Sequence, residues 1–211
     1  ILVGLFLIWK RRWAAIAGAV VGGIAVVGGS VLVARVDTLL DYPKSLTEMS
    51  RFYSWDMAHM INWRSLVFML CSFFPETIGE HEGMIITLSL AYITVLITAF
   101  AWRGECLPGR ADFPVRFTLL LLATLLANHH SFCYGAVILA LPLAAALATG
   151  DHYLLTGMSV VAGVMLPTLS FTIFKFADVA WASRILTFSL LALYGSLLIW
   201  LWQYNKRVAV S

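Results

Sequence analysis

Long runs of apolar residues alternate with short polar segments along most of the chain. An α-helix needs about 20 apolar residues to cross a hydrocarbon core of about 30 Å. Four runs approach this length: Trp13–Val33, Met84–Trp102, Leu154–Phe174 and Ile185–Trp202. The pattern therefore predicts membrane-spanning helices rather than the half-polar helices of a soluble domain.

A longer apolar stretch between Arg116 and Gly150 is interrupted by the polar sequence Asn128–Ser131. We interpret it as two short spans, Phe117–His129 and Phe132–Thr149, joined by a tight polar turn. A single span through the polar residues is the alternative.

The chain opens inside a further apolar run, Ile1–Trp9, which is followed by the basic residues Lys10–Arg12. We expect this run to be the end of a longer hydrophobic segment, and the chain to be the C-terminal part of a larger protein. The predicted fold is all-α: a polytopic membrane helix bundle with six full spans and one truncated span. No linker divides it, so residues 1–211 are expected to form a single transmembrane domain.

Composition agrees with this class of protein. Hydrophobic residues make up 61% of the 211 residues, charged residues only 12%, and the mean hydropathy is +0.89. A soluble domain carries about 25% charged residues. The composition therefore excludes soluble, disordered and disulfide-scaffold proteins. The three cysteines are far apart, with no Cys-x-x-Cys spacing, and predict no redox or metal site.

Charge predicts how the helices are oriented, because Lys and Arg concentrate in short cytoplasmic loops. With two short spans between Arg116 and Gly150, one side holds eight basic and three acidic residues, and the other holds six basic and eight acidic residues. The more basic side includes the C-terminal tail, which is therefore predicted to be cytoplasmic. A single span would move Lys206 and Arg207 to the opposite side, which is less favourable.

Residues 34–83 form a long predicted loop on the extracytoplasmic side, and long loops of this kind often carry function. Pro43 and the Ser45–Glu48 spacing predict a helix start. An amphipathic helix on the outer leaflet is predicted from apolar residues that share one face: Leu46, Met49, Phe52, Tyr53, Met57, Met60 and Trp63. Asp56 projects within that apolar face, so it is a functional candidate; the alternative is a carboxylate at the helix edge that reaches water or Arg64.

The segment Ser65–Phe74 is apolar but too short to span, which predicts a re-entrant or interfacial helix. An acidic stretch follows it, with Glu76, Glu80, His81 and Glu82. These side chains could bind a divalent cation, but their spacing matches no metal motif and favours a solvated loop.

The most informative segment is Ala127–Gly135, where Asn128, His129 and His130 stand between two apolar runs. Polar groups at or just below the membrane surface are costly and usually face a cavity. Histidine can donate hydrogen bonds to phosphate oxygens and carries a positive charge when protonated. The alternative is that both histidines cap the helix ends at a wet turn.

These residues resemble the C-terminal part of glycosyltransferase family 87, the bacterial polyprenyl-phosphate-mannose-dependent α-mannosyltransferases of the GT-C fold. Asn128-His129 and Tyr134-Gly135 precede an apolar Leu/Pro-containing span, Ala136–Leu147, in the family's order. Upstream, the sequence Lys10–Trp13 leads into an Ala/Gly/Val span, followed by Tyr42 and then Asn62-x-x-Ser65-Leu66. Two positions depart from the family pattern: Gly135 stands where an acid is expected, and Asn128 where proline is usual.

The resemblance implies an enzyme of the bacterial plasma membrane whose active face is extracytoplasmic. It implies polyprenyl phosphate mannose, or a related lipid-linked sugar, as donor and an extracytoplasmic lipid or glycan as acceptor. Transfer would invert the anomeric carbon while a carboxylate deprotonates the acceptor. That base is expected upstream of this sequence. The expected donor-phosphate ligands are His129, His130, Asn128 and Arg64, and the expected acceptor cavity contains Asp56, His59 and Tyr134.

Two other functional classes remain open from the sequence. One is a small-molecule or lipid transporter or flippase, although the four long spans carry no charge and no inverted repeat is visible. The other is a non-catalytic integral membrane subunit. Nucleic-acid binding is not predicted, because the basic residues lie at membrane edges, where lipid headgroups account for them. No cofactor is expected besides the lipid-linked donor substrate.

Overall fold

The computed structural model describes residues 2–51, 60–74, 79–103, 107, 109–128, 131, 138–140, 144, 148 and 179–210. The predicted span Leu154–Phe174 and most of Phe132–Thr149 lie outside these residues. The chain divides into two compact units, Ile1–Asp56 and Met57–Ser211, which are considered separately.

The structure is helical throughout the described elements, which confirms the all-α prediction for this part of the chain. The helices are α1 (Leu2–Trp9), α2 (Trp13–Arg51), α3 (Trp63–Phe73), α4 (Glu80–Ala101), α5 (Phe113–Ala127) and α6 (Val179–Val210). Three of them contain segments long and apolar enough to cross a membrane: Trp13–Leu32, His81–Ala101 and Leu186–Val208. These segments agree with three of the predicted spans, and the described part of the chain does not extend to six full spans.

In the first unit, α1 and α2 are joined by the basic turn Lys10–Arg12. The Lys10 and Arg12 amides donate to the Phe6 and Leu7 carbonyls, each at 2.9 Å, and so satisfy the last carbonyls of α1. Arg11 adopts a left-handed conformation with φ of 52°, which is typical of a residue that ends a helix and here separates α1 from α2.

The helix start predicted near Ser45 is wrong, because α2 runs without interruption for 39 residues from Trp13 to Arg51. A proline removes one backbone hydrogen bond and bends a helix, but it does not by itself end one. The predicted amphipathic helix through Trp63 is also wrong at its end. Residues 60–62 are not helical, and α3 begins anew at Trp63. Residues 52–59 lie outside the described part.

In the second unit, α3 packs along α4 in the antiparallel direction. At one end the Trp63 Nε1–H donates to Thr94 Oγ1 at 2.8 Å. At the other end α4 approaches α3 at Gly83, where an added Cβ would lie only 3.0 Å from Cys71 Sγ. A larger residue at Gly83 would therefore need the Cys71 side chain to shift, and α3 runs along α4 from Thr94 to Gly83.

Threonine and tyrosine hydroxyls tie α4 to α6 inside the apolar bundle. Tyr194 Oη lies 2.7 Å from Thr98 Oγ1 and donates to the Thr94 carbonyl at 3.1 Å. The Thr98 hydroxyl also contacts the Thr94 carbonyl, at 2.8 Å. Hydrogen bonds of this kind join membrane helices where lipid offers no alternative partner. The bonds place the C-terminal third of α4 beside the middle of α6.

Replacing Thr98 with valine is expected to lower the unfolding free energy by about 0.5–1.5 kcal/mol, because valine keeps the shape but removes the contact with Tyr194. SDS titration of the purified protein in mixed micelles measures this change. Thr87→Val is the matched control, since the buried Thr87 hydroxyl donates to the Gly83 carbonyl within α4 and to no other described residue. Equal losses in the two variants would show that the bond between helices adds nothing.

A buried ion pair joins α4, α5 and α6 at the C-terminal end of α4. Arg116 Nε donates to Asp112 Oδ2 at 2.7 Å, and the two residues are only 5% and 1% exposed. The Arg116 guanidinium also donates to the Ala101 carbonyl, and to Asn205 Oδ1 at 3.3 Å. The charge distribution predicts a cytoplasmic loop over Arg103–Arg116, whereas the structure places Arg116 inside α5 and buries its pair with Asp112 as a link between three helices.

Candidate functional site

The structure describes two of the seven predicted site residues, Asn128 and Arg64. His129, His130 and Tyr134 lie outside the described residues, as do Asp56 and His59. The site is therefore built from the residues that flank the two histidines and from the start of α3.

Helix α5 ends at Ala127, immediately before the histidines. Asn128 has extended backbone angles, φ of −74° and ψ of 133°, and its amide donates to the Thr124 carbonyl at 3.0 Å. Neither Asn128 nor Ser131 is helical. The predicted polar break after α5 is therefore confirmed, and the choice between one span and two spans from Arg116 to Gly150 stays a prediction. We call residues Asn128–Ser131 the histidine turn.

Asn62 connects the histidine turn to the start of α3. Its Oδ1 accepts the Ser65 amide at 3.0 Å, so it is the N-cap of α3. Its Nδ2 donates to the Asn128 carbonyl at 2.9 Å, across 66 residues of sequence. The side chain is fully buried. One amide group thus caps α3 and holds the first residue of the histidine turn.

The last residue of the turn is attached to the same segment. The Ile61 amide donates to the Ser131 carbonyl at 2.8 Å, and Ile61 is fully buried. The histidine turn is therefore held at both ends by the two residues that precede α3. His129 and His130 occupy the two positions between these attachments.

Arg64 is the second residue of α3, two positions after Asn62. Its side chain is half-buried, and its guanidinium carbon lies 5.6 Å from the centre of the Phe68 ring. The structure thus brings the segment that carries Arg64 next to the segment that carries the histidines. The sequence predicted this grouping only through the family resemblance.

Ser131 is a candidate site residue that the sequence analysis did not single out. It is 3% exposed, and its hydroxyl has no hydrogen-bond partner among the described residues. An unsatisfied buried hydroxyl costs about 1–3 kcal/mol, which makes it available to a polar ligand. The only sequence signal was its place as the last polar residue of the turn.

The acidic segment gives no support to a cation site in the described residues, where no group of three potential ligands occurs. Glu80, His81 and Glu82 belong to the first turn of α4. Acidic side chains are favourable there because of the partial positive charge of the helix N-terminus. Glu76 lies outside the described residues.

At the end of the bundle near Asp112, basic side chains pair with a carboxylate and with aromatic rings. Asp112 raises the pKa of the neighbouring Arg110, whose Nε lies 3.2 Å from Asp112 Oδ1. Arg103 and Lys206 lie over the aromatic rings of Phe100 and Trp202 at this end. Buried pairing of Asp112 with Arg116 marks a structural cluster rather than a reactive one.

The arrangement around the histidine turn suits an anion. The start of α3 carries the partial positive charge of a helix N-terminus, and Arg64 adds a guanidinium within the first turn. Ser131 contributes a hydroxyl that has no partner within the described residues. Phosphate oxygens accept hydrogen bonds from all of these groups.

Comparison with known proteins identifies the family. The family model for glycosyltransferase family 87 matches residues 1–129. The matched region contains α1 to α5, the contact between Asn62 and Asn128, and His129. No curated protein and no solved structure matches the chain. Because the matched region covers more than half of the chain and includes the break after α5, the protein belongs to glycosyltransferase family 87.

Proposed function

We propose that the protein transfers a sugar, mannose in the first instance, from a polyprenyl-phosphate donor to an extracytoplasmic lipid or glycan acceptor. Membership of glycosyltransferase family 87 supports the reaction class. The observation that carries the site is the attachment of the histidine turn to the start of α3 by Ile61 and Asn62. That attachment brings the start of α3, which carries Arg64, next to the two ends of the segment that carries the histidines, although Arg64 and His129 are 65 positions apart along the chain.

In this proposal, His129, His130, Asn128 and Arg64 bind the donor phosphate, and Ser131 is added to them. Arginine presents a planar fork of donors that matches phosphate, and histidine donates from its ring nitrogens. These donors stabilise the negative charge that grows on the phosphate as its bond to the sugar breaks. The histidine turn is therefore assigned to leaving-group stabilisation.

Asp56, His59 and Tyr134 are proposed to line the acceptor cavity. Inverting transfer needs a base that removes the proton from the acceptor hydroxyl as it attacks the anomeric carbon. That base is not assigned to any residue of the printed sequence. The polyprenyl chain of the donor, which is apolar, would lie against the membrane-facing helices.

The proposed topology places the C-terminus in the cytoplasm and the histidine turn on the extracytoplasmic side of Arg116. Arg116 contacts the Ala101 and Arg103 carbonyls and Asn205, so the C-terminal ends of α4 and α6 lie beside the start of α5. Basic residues gather at this end: Arg103, Arg110, Arg116, Lys206 and Arg207. Their grouping supports a cytoplasmic location, because basic residues concentrate on that side.

The proposal is tested with membranes from cells that express the complete gene. Radiolabelled polyprenyl phosphate mannose is supplied together with a cell-envelope acceptor extract. We expect label to move to the acceptor and free polyprenyl phosphate to appear in equal amount. Donors carrying glucose or galactose identify the sugar. Failure to transfer any of these sugars would overturn the proposed reaction.

A transporter is the second candidate, and the broken helix at Asn128 is the observation that favours it, because transporters place substrates at interrupted membrane helices. Purified protein in liposomes distinguishes the two functions. A transporter moves substrate without consuming the lipid-linked sugar, whereas the proposed enzyme releases polyprenyl phosphate. A non-catalytic subunit would copurify with a partner and do neither alone.

A further inference from the structure

Two helices of the second unit are too short to cross a membrane, and their lengths are complementary. Helix α4 has 22 residues, about 33 Å at 1.5 Å per residue. Helix α5 has 15 residues, about 22 Å, and α3 has 11 residues, about 16 Å. Each of the two short helices is shorter than α4, but the sum of their lengths slightly exceeds the length of α4.

Both short helices pack against α4. The start of α5 lies at the C-terminal end of α4, where Trp102 Nε1 donates to the Arg116 carbonyl at 2.8 Å. The end of α3 lies near Gly83, at the opposite end of α4, and the start of α3 lies at Thr94. The end of α5 and the start of α3 therefore meet near Thr94, about two-thirds of the way along α4.

The meeting point is the place where backbone groups lose their helical partners. The last carbonyls of α5 and the first amides of α3 both need hydrogen bonds, and lipid supplies none. Asn62 makes one hydrogen bond to each helix end: its Oδ1 accepts from the Ser65 amide in α3, and its Nδ2 donates to the carbonyl of Asn128, the residue after α5. The bond from Ile61 to Ser131 closes the junction.

We propose that α5 and α3 form one discontinuous membrane crossing joined by Asn62, and that Asn62 is thereby the residue that positions the histidine turn for transfer. Trp63 lies beside Thr94, which is about 16 Å along α4 from Gly83. Asn128 and Ser131, which Asn62 and Ile61 hold near this point, therefore lie within the depth of the bundle rather than at its outer surface. The positioning role rests on the proposed transferase function; the composite crossing does not.

Three variants of Asn62 separate capping from positioning. Asn62→Ser keeps an oxygen that can cap α3 but loses the donor to the Asn128 carbonyl. Asn62→Asp also keeps the cap and puts a carboxylate against that carbonyl. Asn62→Ala loses both interactions. Thr118→Ala is the control, because it removes a buried side-chain hydrogen bond of α5 far from the junction.

We expect Asn62→Ser to retain most of the thermal stability but to reduce kcat at least tenfold, and Asn62→Asp to reduce it further. Asn62→Ala should lose both activity and stability. Thr118→Ala should keep its kcat whatever its stability. Unchanged kcat in Asn62→Ser and Asn62→Asp would overturn the positioning role. A kcat that falls only as much as the fraction of folded protein falls would also overturn it, because the loss would then come from unfolding alone.

The composite crossing is tested without reference to sugar transfer. Spin labels are placed singly by L70C and F73C, in protein whose native cysteines are replaced, after reconstitution into liposomes. Both positions are exposed, and they lie three residues apart within α3. We expect Leu70 to lie deeper than Phe73 by about 4.5 Å, from three residues of helix rise. Equal depths would show an interfacial helix and overturn the composite crossing, even in an active enzyme.

Discussion

Replacing Arg116 with methionine is expected to lower the free energy of unfolding by about 3–5 kcal/mol. Methionine keeps much of the apolar length of the side chain but removes the guanidinium. Asp112, which is 1% exposed, would then be buried without its 2.7 Å partner. An uncompensated buried charge is far more costly than the loss of an exposed ion pair, and this difference sets the size of the effect.

Several helices would be affected by the same substitution. The Arg116 guanidinium donates to backbone carbonyls at the end of α4 and to Asn205 on α6, in addition to Asp112 on its own helix. Those carbonyls are the groups that a helix end leaves without partners. We therefore expect Arg116→Met to loosen the packing of α4 and α6 against α5 as well as to strand a carboxylate.

Unfolding of the purified protein by SDS titration measures this loss, and Arg110→Met is the matched control. Arg110 also lies 3.2 Å from Asp112, but its side chain is 35% exposed, so its removal is expected to cost less than about 1 kcal/mol. Adding Asp112→Asn to Arg116→Met should recover part of the stability. Similar losses from the two arginine variants would contradict the assignment of Arg116 as the link between helices.

The second large effect concerns activity. Replacing both His129 and His130 with alanine is expected to reduce kcat/KM for the lipid-linked donor at least about a hundredfold, because one lost donor to a developing oxyanion typically costs 10²–10³ in rate. The described attachments of the turn use the carbonyls of Asn128 and Ser131, not the imidazoles. Folding should therefore be retained.

Sugar transfer and thermal unfolding are measured on the same preparations to separate the two effects. His81→Ala is the matched control, because His81 is exposed at the start of α4 and takes no part in the proposed site. Its activity should equal that of the unmodified enzyme. Full activity in the double variant would remove the histidine turn from the donor site, whatever the family of the protein.

Local pattern was sufficient to predict several elements. The apolar runs that became Trp13–Leu32, His81–Ala101 and Leu186–Val208 are long enough for the hydrophobic effect to specify membrane helices from composition alone. The break after Ala127 was predictable for the converse reason: consecutive polar residues are costly within an apolar helix. Both inferences depend on single segments of chain.

Other features depended on partners that are distant in sequence. The sequence placed a helix start near Ser45, but capping patterns are weak where neighbouring residues favour continuation, and α2 continues to Arg51. Asn62 was noticed only within a family motif, because its second hydrogen bond is made to a carbonyl 66 residues away. Ser131 could not be distinguished from any other polar residue of the turn until its burial was known.

The sequence by itself determined that this is a helical membrane protein, which end of it is basic, and that a polar break follows α5, because these properties follow from how each segment partitions between water and lipid. Only the tertiary structure decided that Arg116 is a buried link between helices and that Asn62 joins α5 to α3. Both results arise from satisfying charges and backbone groups that water cannot reach. Such groups must find partners within the protein, and only the packing of the helices determines which partners are close enough.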